Sequence, residues 1–310
     1  MRTELTDTTS SKVDRALLDA RRAVGSPTMG LVLTLVIATD EENAYDAIRA
    51  ASEASREHPC RIITVIKRTS RGPHKLRQTR LDAEVRVGSD AGSGEIVVLR
   101  LHGALTGQAG SVVLPLLVPD APVVVWWPAD APADPARDPL GALAQRRITD
   151  AEASADPVAA LDERGAVYAP GDTDLAWTRL TPWRALLAAA MDQKPLPVTG
   201  GAVESEPDNP SAELLARWLE DRLGVPVERV VTPGPVITGV RLDTAQGVIR
   251  VDRPDGALAA LILPDSPDRR VALKIRSTAE LIAEELRRLD ADVVYASALR
   301  RRPAQASLSA

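Results

Sequence analysis

Residues 31–67 read LVLTLVIATDEENAYDAIRAASEASREHPCRIITVIK, and the order of an apolar run, an amphipathic run and a second apolar run decides the fold class. GLVLTLVIATD (Gly30 to Asp40) is long, rich in β-branched residues and almost wholly apolar, as suits a strand buried on both faces at the centre of a sheet. Thr39 and Glu42 stand at capping-box spacing and open a helix expected to run to about Glu57, with Ala44, Ile48, Ala51 and Ala54 turned inward. His58 and Pro59 close that helix, and CRIITVIK (Cys60 to Lys67) is the next strand. A strand, a crossover helix and a strand within one sheet imply parallel pairing with a right-handed connection. The first half of the chain therefore reads as a Rossmann-like α/β domain.

Upstream, Lys12 to Arg22 has the helical period, with Ser10 or Ser11 available as its cap. Downstream, LDAEVRVG and GEIVVLRLHG flank the turn SDAGSG as a hairpin, which makes the sheet mixed. A helix near Gly107 to Leu117 leads into APVVVWWP (Ala121 to Pro128), the last strong strand of this half. The proline-rich PADAPADPARDP (Pro128 to Pro139) reads as an extended, exposed loop or linker, and LGALAQRRITD as a helix. In GDTDLAWTRLTPWRALLAAAMDQ (Gly171 to Gln193) a helix starts with Thr181 as cap and Pro182 at the first helical position. A strand near Val198 to Glu204, a helix from Ser211 to Leu223, four short runs separated by turns and a last helix from Thr278 to Leu289 follow. They describe a smaller C-terminal α+β domain with an antiparallel meander. The expected divisions are 1–128, a connector with a Trp-rich helical segment over 129–195, the second domain over 196–302 and a disordered tail over 303–310.

The chain has 310 residues, enough for two cores, and 45% hydrophobic with 26% charged residues is the balance of a globular protein. A net charge of −5 gives no overall attraction to nucleic acid or an anionic membrane. Cys60 is the single cysteine, so an internal disulfide and a CxxC zinc site are both excluded. Neither a signal peptide nor an apolar run long enough to span a bilayer is expected, and a reducing cytoplasm fits.

Glycines between a first strand and its helix normally let backbone amides approach a phosphate. Here that turn is ATDEEN, whose Asp40, Glu41 and Glu42 answer the helix dipole themselves and repel a phosphate. His58, His74 and His102 share no metal-ligand spacing, Cys60 reads as a buried small residue, and no catalytic set or bound cofactor or metal is predicted. Two features stand above this background. KRTSRGPHKLRQTR carries Lys67, Arg68, Arg71, Lys75, Arg77 and Arg80 without an acid, as either a solvated loop or a holder of an anion or acidic partner. Trp126, Trp127, Trp177 and Trp183 cluster mid-chain beside Arg179 and Arg184, the residue types most enriched in binding hot spots. Strand alternation sends Trp126 and Trp127 to opposite faces, so the indoles either fill a junction between domains or leave one free for a partner.

The segments LTDTTSSKV, LVLTLVIATDEENAYDAIRAASEASREHPCRIITVI, VLPLLVPDAPVVVWWP, DPLGALAQRRITD and YAPGDTDLAWTRLTPWR together resemble the glucose-6-phosphate dehydrogenase assembly proteins (OpcA) of actinobacteria and cyanobacteria over nearly the whole chain. The resemblance implies a non-catalytic partner that binds glucose-6-phosphate dehydrogenase and promotes its active oligomer at the entry to the oxidative pentose phosphate pathway, with NADP held by the enzyme. Given such a partner, the hot-spot residue types make Trp126, Trp127, Asp172, Asp174, Trp177, Arg179, Trp183 and Arg184 the residues expected to form or support the dehydrogenase-facing surface. The cyanobacterial thiol-redox control does not transfer, because one cysteine makes no dithiol switch. The rival reading is a sugar-phosphate- or nucleotide-binding sensor or enzyme whose strand-end tryptophans stack on the ligand.

Overall fold

The computed structural model describes residues 1–25, 30–68, 79–88, 94–193, 195–234 and 236–301. The chain runs β1 (Arg2–Leu5), α1 (Ser10–Val24), β2 (Leu33–Thr39), α2 (Ala44–Ala54), β3 (Cys60–Arg68), β4 (Arg80–Val87) and β5 (Glu95–His102). Then come α3 (Ala109–Val113), β6 (Val123–Trp126), β7 (Arg146–Thr149), α4 (Pro157–Val167), β8 (Asp172–Asp174), α5 (Leu175–Thr178) and α6 (Thr181–Gln193). The remainder is β9 (Val198–Ser205), α7 (Pro210–Leu223), β10 (Val227–Val231), β11 (Ile237–Thr244), β12 (Gly247–Asp252), β13 (Leu258–Ile262), β14 (Arg269–Ala272), α8 (Thr278–Arg287) and α9 (Val293–Arg300). Contacts divide these elements into two compact units. The first holds Met1–Asp150, Ala169–Thr173 and Ser277–Ala291; the second holds Ala151–Tyr168, Asp174–Arg276 and the chain from Asp292 on.

In the first unit the sheet order is β1-β4-β5-β3-β2-β6-β7-β8. β2 pairs parallel with both β3 and β6, and its near-continuous apolar run is the pattern of a parallel strand covered on both faces. β4 against β5 is the expected antiparallel hairpin, and β1 extends that edge, so the sheet is mixed. One sheet face gathers Val36, Ala38, Ile63, Val65, Val97 and Leu99 with Val13 and Leu17 of α1 into a single core.

Several local expectations are corrected. α1 begins earlier and is capped by Thr9, whose side chain accepts from Lys12 N–H. α2 has no Thr39–Glu42 capping box: the Asp40 carboxylate takes the Asn43 N–H at 2.8 Å, and the helix starts at Ala44. Ile48 is only half-buried, while Ala47 and Ala50 join Ala44, Ala51 and Ala54 in the interior. LGALAQRRITD is a single helical turn at Gly141–Leu143 followed by β7, because Arg146 and Arg147 find buried partners only from a strand. The proline-rich stretch is neither extended nor a linker; it folds in turns onto the first unit, burying Pro135 and laying that residue's carbonyl against Gly141.

In the second unit the sheet order is β10-β9-β11-β12-β13-β14. β9, α7 and β10 form a parallel β-α-β unit, and β11 to β14 form the expected antiparallel meander. Asn209 caps α7 by accepting from Ala212 N–H at 2.8 Å, with Pro210 at the first helical position. The core combines Trp177, Trp183 and Leu187 with Leu214, Leu215, Val240, Leu242 and Val251. The contact units cut the chain at 150 and reassign 277–291, whereas composition drew the lines at 128 and 195. α8, expected in the second domain, packs against α2 in the first, where Arg287 pairs with Glu57 at 3.2 Å.

Candidate functional site

Trp126 and Trp127 are 2% and 3% exposed, so neither offers a strand-end stacking surface. Trp127 joins Val123 and Val125 in the core under α1, while alternation turns Trp126 to the other sheet face. The Trp126 indole N–H is buried without an acceptor among the described residues. Beside this strand, β7 places two buried arginines. Arg146 donates to Glu285 at 3.0 and 2.5 Å and to the Asp290 carbonyl at 2.8 Å. Arg147 is held by Asp172 and by the carbonyls of Pro170 at 2.6 Å and Ala144 at 2.9 Å. Asp172 also accepts from Ala169 N–H at 2.8 Å, which leaves it a positioning group inside the first unit.

Within the second unit, Asp174 is fully buried and anchors the start of α5. Its carboxylate accepts from Ala176 N–H at 2.9 Å, Ala151 N–H at 3.1 Å and the Arg164 guanidinium at 2.5 Å. Trp177 donates its indole N–H to Asp292 at 2.8 Å, and the Arg184 guanidinium lies over its ring at 3.8 Å from the centroid. Of the residues from Gly171 to Leu180, only Arg179 is partly exposed, and it pairs with Glu152 at 3.0 Å.

Arg179 and Trp183 line a narrow cavity of about 40 Å³ with Asn209 and Ser211 at the start of α7 and with Arg253, Lys274 and Arg276. Arg253 is 4% exposed and sits 4.9 Å from the Trp183 ring centroid. It donates to the carbonyls of Ile237 at 2.7 Å and Leu273 at 3.1 Å, while its Nε–H meets no acceptor among the described residues. Burial pulls the Arg253 pKa below its ordinary value, and the charge of Asp255 only partly opposes this. The Trp and Arg types of GDTDLAWTRLTPWR pointed to two walls of this cavity. Arg253, Lys274 and Arg276 were not singled out, because strand pairing brings them in from distant turns. The Asn209-Pro210 pair was the one local signal for the third wall, as a helix start.

Of the basic loop, Lys67, Arg68 and Arg80 lie on strands, whereas Arg71, Lys75 and Arg77 fall outside the described residues. Arg68 and Arg100 both pair with Glu41, at 2.9 and 3.2 Å, and Arg80 with Asp82 at 2.9 Å. Burial alone raises the Glu41 pKa, yet the two arginines pull it below the ordinary carboxylate value. A wider groove of about 380 Å³ opens beside these residues in the first unit, between Tyr45, Ile48 and Arg49 of α2 and Arg86 and Arg100 of the sheet. Cys60 is fully buried and its thiol is pushed up to about 12. Among the described residues no helix is long and apolar enough to cross a membrane.

Residues 51–166 match the family described as glucose-6-phosphate dehydrogenase subunit N-terminal domain, and residues 170–299 match its C-terminal counterpart. The two matches meet at 167–169, close to where the chain passes between contact units. No curated protein matches the chain.

Proposed function

The chain belongs to the glucose-6-phosphate dehydrogenase assembly protein family (OpcA), and from that membership we propose that it is a non-catalytic partner that binds glucose-6-phosphate dehydrogenase and favours its active oligomeric form. The observation that carries this reading is the pair of family matches, which between them span most of the chain. On this reading NADP stays with the dehydrogenase, and the complex works at the entry to the oxidative pentose phosphate pathway. An activator of this kind must bind the active form of its target more tightly than the inactive one, and about 1.4 kcal/mol of difference shifts that equilibrium tenfold.

The residues assigned to the dehydrogenase-facing surface then divide by exposure. Trp126, Trp127, Trp177, Trp183, Asp172 and Asp174 support it from inside, because all six are buried. Arg179 and Arg184, each partly exposed, supply the charged contact. Arg179→Glu places an acid beside Glu152 and is expected to weaken the complex at least tenfold, at a stability cost of about 1 kcal/mol that leaves the protein folded. Co-elution of both chains, read by light scattering, is the measurement. Undiminished complexes from Arg179→Glu and from Arg184→Gln would remove this surface from the account.

A further inference from the structure

Tyr45 is the one exposed aromatic side chain of the molecule. It stands 74% exposed on α2, whereas the five tryptophans and the other two tyrosines are buried or half-buried. It borders the groove of about 380 Å³ in the first unit, with Ala44, Ile48 and Ser52 of the same helix. The floor is Ile66 of β3 with Ile96 and Val98 of β5, and Arg86 and Arg100 stand on the sheet side.

This groove lies where a further helix of the α2 layer would sit. α2 packs over β2 and β3, and α8 packs against α2 on the side of β7, where Arg146 pairs with Glu285. Neighbouring helices on a sheet lie roughly 10 Å apart, about two strand spacings. One such step from α2 in the opposite direction falls over β5 and β4, on the floor of the groove. The other helices of the unit, α1 and α3, belong to the core on the opposite sheet face.

The arginines set the charge of the occupant. Among the described residues Arg86 donates only through Nε, to Glu84, and Arg100 only through Nε, to Glu41. Both carboxylates are shared, Glu84 with Arg2 at 2.7 Å and Glu41 with Arg68 at 2.9 Å. A guanidinium carries five N–H donors, so the terminal nitrogens of Arg86 and Arg100 remain for acceptors from outside the chain. Arg86 stands opposite Ile96, and Arg100 lies four residues farther along β5. At about 3.4 Å per residue the two are roughly 14 Å apart along the strands. Carboxylates two to three turns apart on one flank of a helix match that spacing.

We infer that this groove is a docking site for the dehydrogenase, and that its occupant is an amphipathic helix with carboxylates along one flank. The inference rests on the dehydrogenase reading and deepens it, naming a contact in the first unit separate from Arg179. Tyr45 is the anchor, since tyrosine and arginine are among the residue types most enriched in binding hot spots.

The test is association of the full chain with purified dehydrogenase, read by light scattering. Tyr45→Ala and Arg100→Gln are each expected to weaken it at least tenfold with an unchanged circular dichroism spectrum, while Val293→Ala, at an exposed apolar position of the second unit, has no effect. A benzophenone amino acid in place of Tyr45 is expected to photo-crosslink to a dehydrogenase helix that bears Asp or Glu. Full-strength association of either groove variant, or capture on a segment that is not an acidic helix, overturns the inference and leaves the dehydrogenase reading standing. Self-association of the chain alone that Tyr45→Ala abolishes also overturns it, because the groove then belongs to a second copy. No complex with wild type overturns both.

Discussion

Trp126 and Trp127 are neighbours in the chain yet belong to different packing layers, and residues around them show how tightly those layers are filled. A Cβ on Gly141 would collide with the Pro135 carbonyl oxygen and press within 3.2 Å of the Trp127 ring. Gly141→Ala is therefore expected to destabilise the protein by roughly 1–3 kcal/mol in denaturant titration, an overpacking cost. Cys60, with its thiol raised to about 12, should resist a disulfide reagent at pH 8 in the native protein and react only on unfolding. Asp82 tests the electrostatics of the sheet edge. Burial raises its pKa, but the Asp7 N–H at 3.0 Å, Arg80 and His102 together hold it below the ordinary value. A depressed carboxylate stabilises the fold above about pH 3.9, its unfolded value, and that contribution disappears as pH falls through the lower folded value. The melting-temperature gap between wild type and Asp82→Asn should thus be full at pH 6 and close toward pH 2.

At the level of elements, periodicity and composition were enough where the partner lies nearby in sequence. The β2-α2-β3 unit, the β4–β5 hairpin and the β11–β14 meander were all legible, because each buries a face against its own neighbour. β7 was not. Two adjacent arginines in RRIT look solvent-exposed, and their burial is explained by Glu285, 139 positions away from Arg146, and by Asp172, 25 positions away from Arg147. The placement of α8 was hidden for the same reason, since its apolar face suits either core and α2 is far upstream. Removing one partner of the buried pair, by Glu285→Gln, is expected to cost about 3–5 kcal/mol in chemical denaturation. Ser277→Ala removes the capping box that starts α8 and should cost about 1 kcal/mol. Of the unit-two cavity, the sequence showed Arg179 and Trp183, while Arg253 and Lys274 come from turns whose proximity depends on sheet register.

Across the whole molecule, each matched family domain coincides for the most part with one contact unit. Trp126, Trp127, Trp177 and Trp183 are buried, whereas Arg179 is partly exposed and pairs with Glu152. The most direct measurement is size-exclusion chromatography with light scattering of the full chain mixed with purified glucose-6-phosphate dehydrogenase, with dehydrogenase activity read across the same fractions. The account predicts a co-eluting complex, a shift of the dehydrogenase toward its active oligomer, and at least tenfold weaker association for Arg179→Glu. Separate elution at tens of micromolar, with the dehydrogenase unchanged in mass and activity, would contradict it.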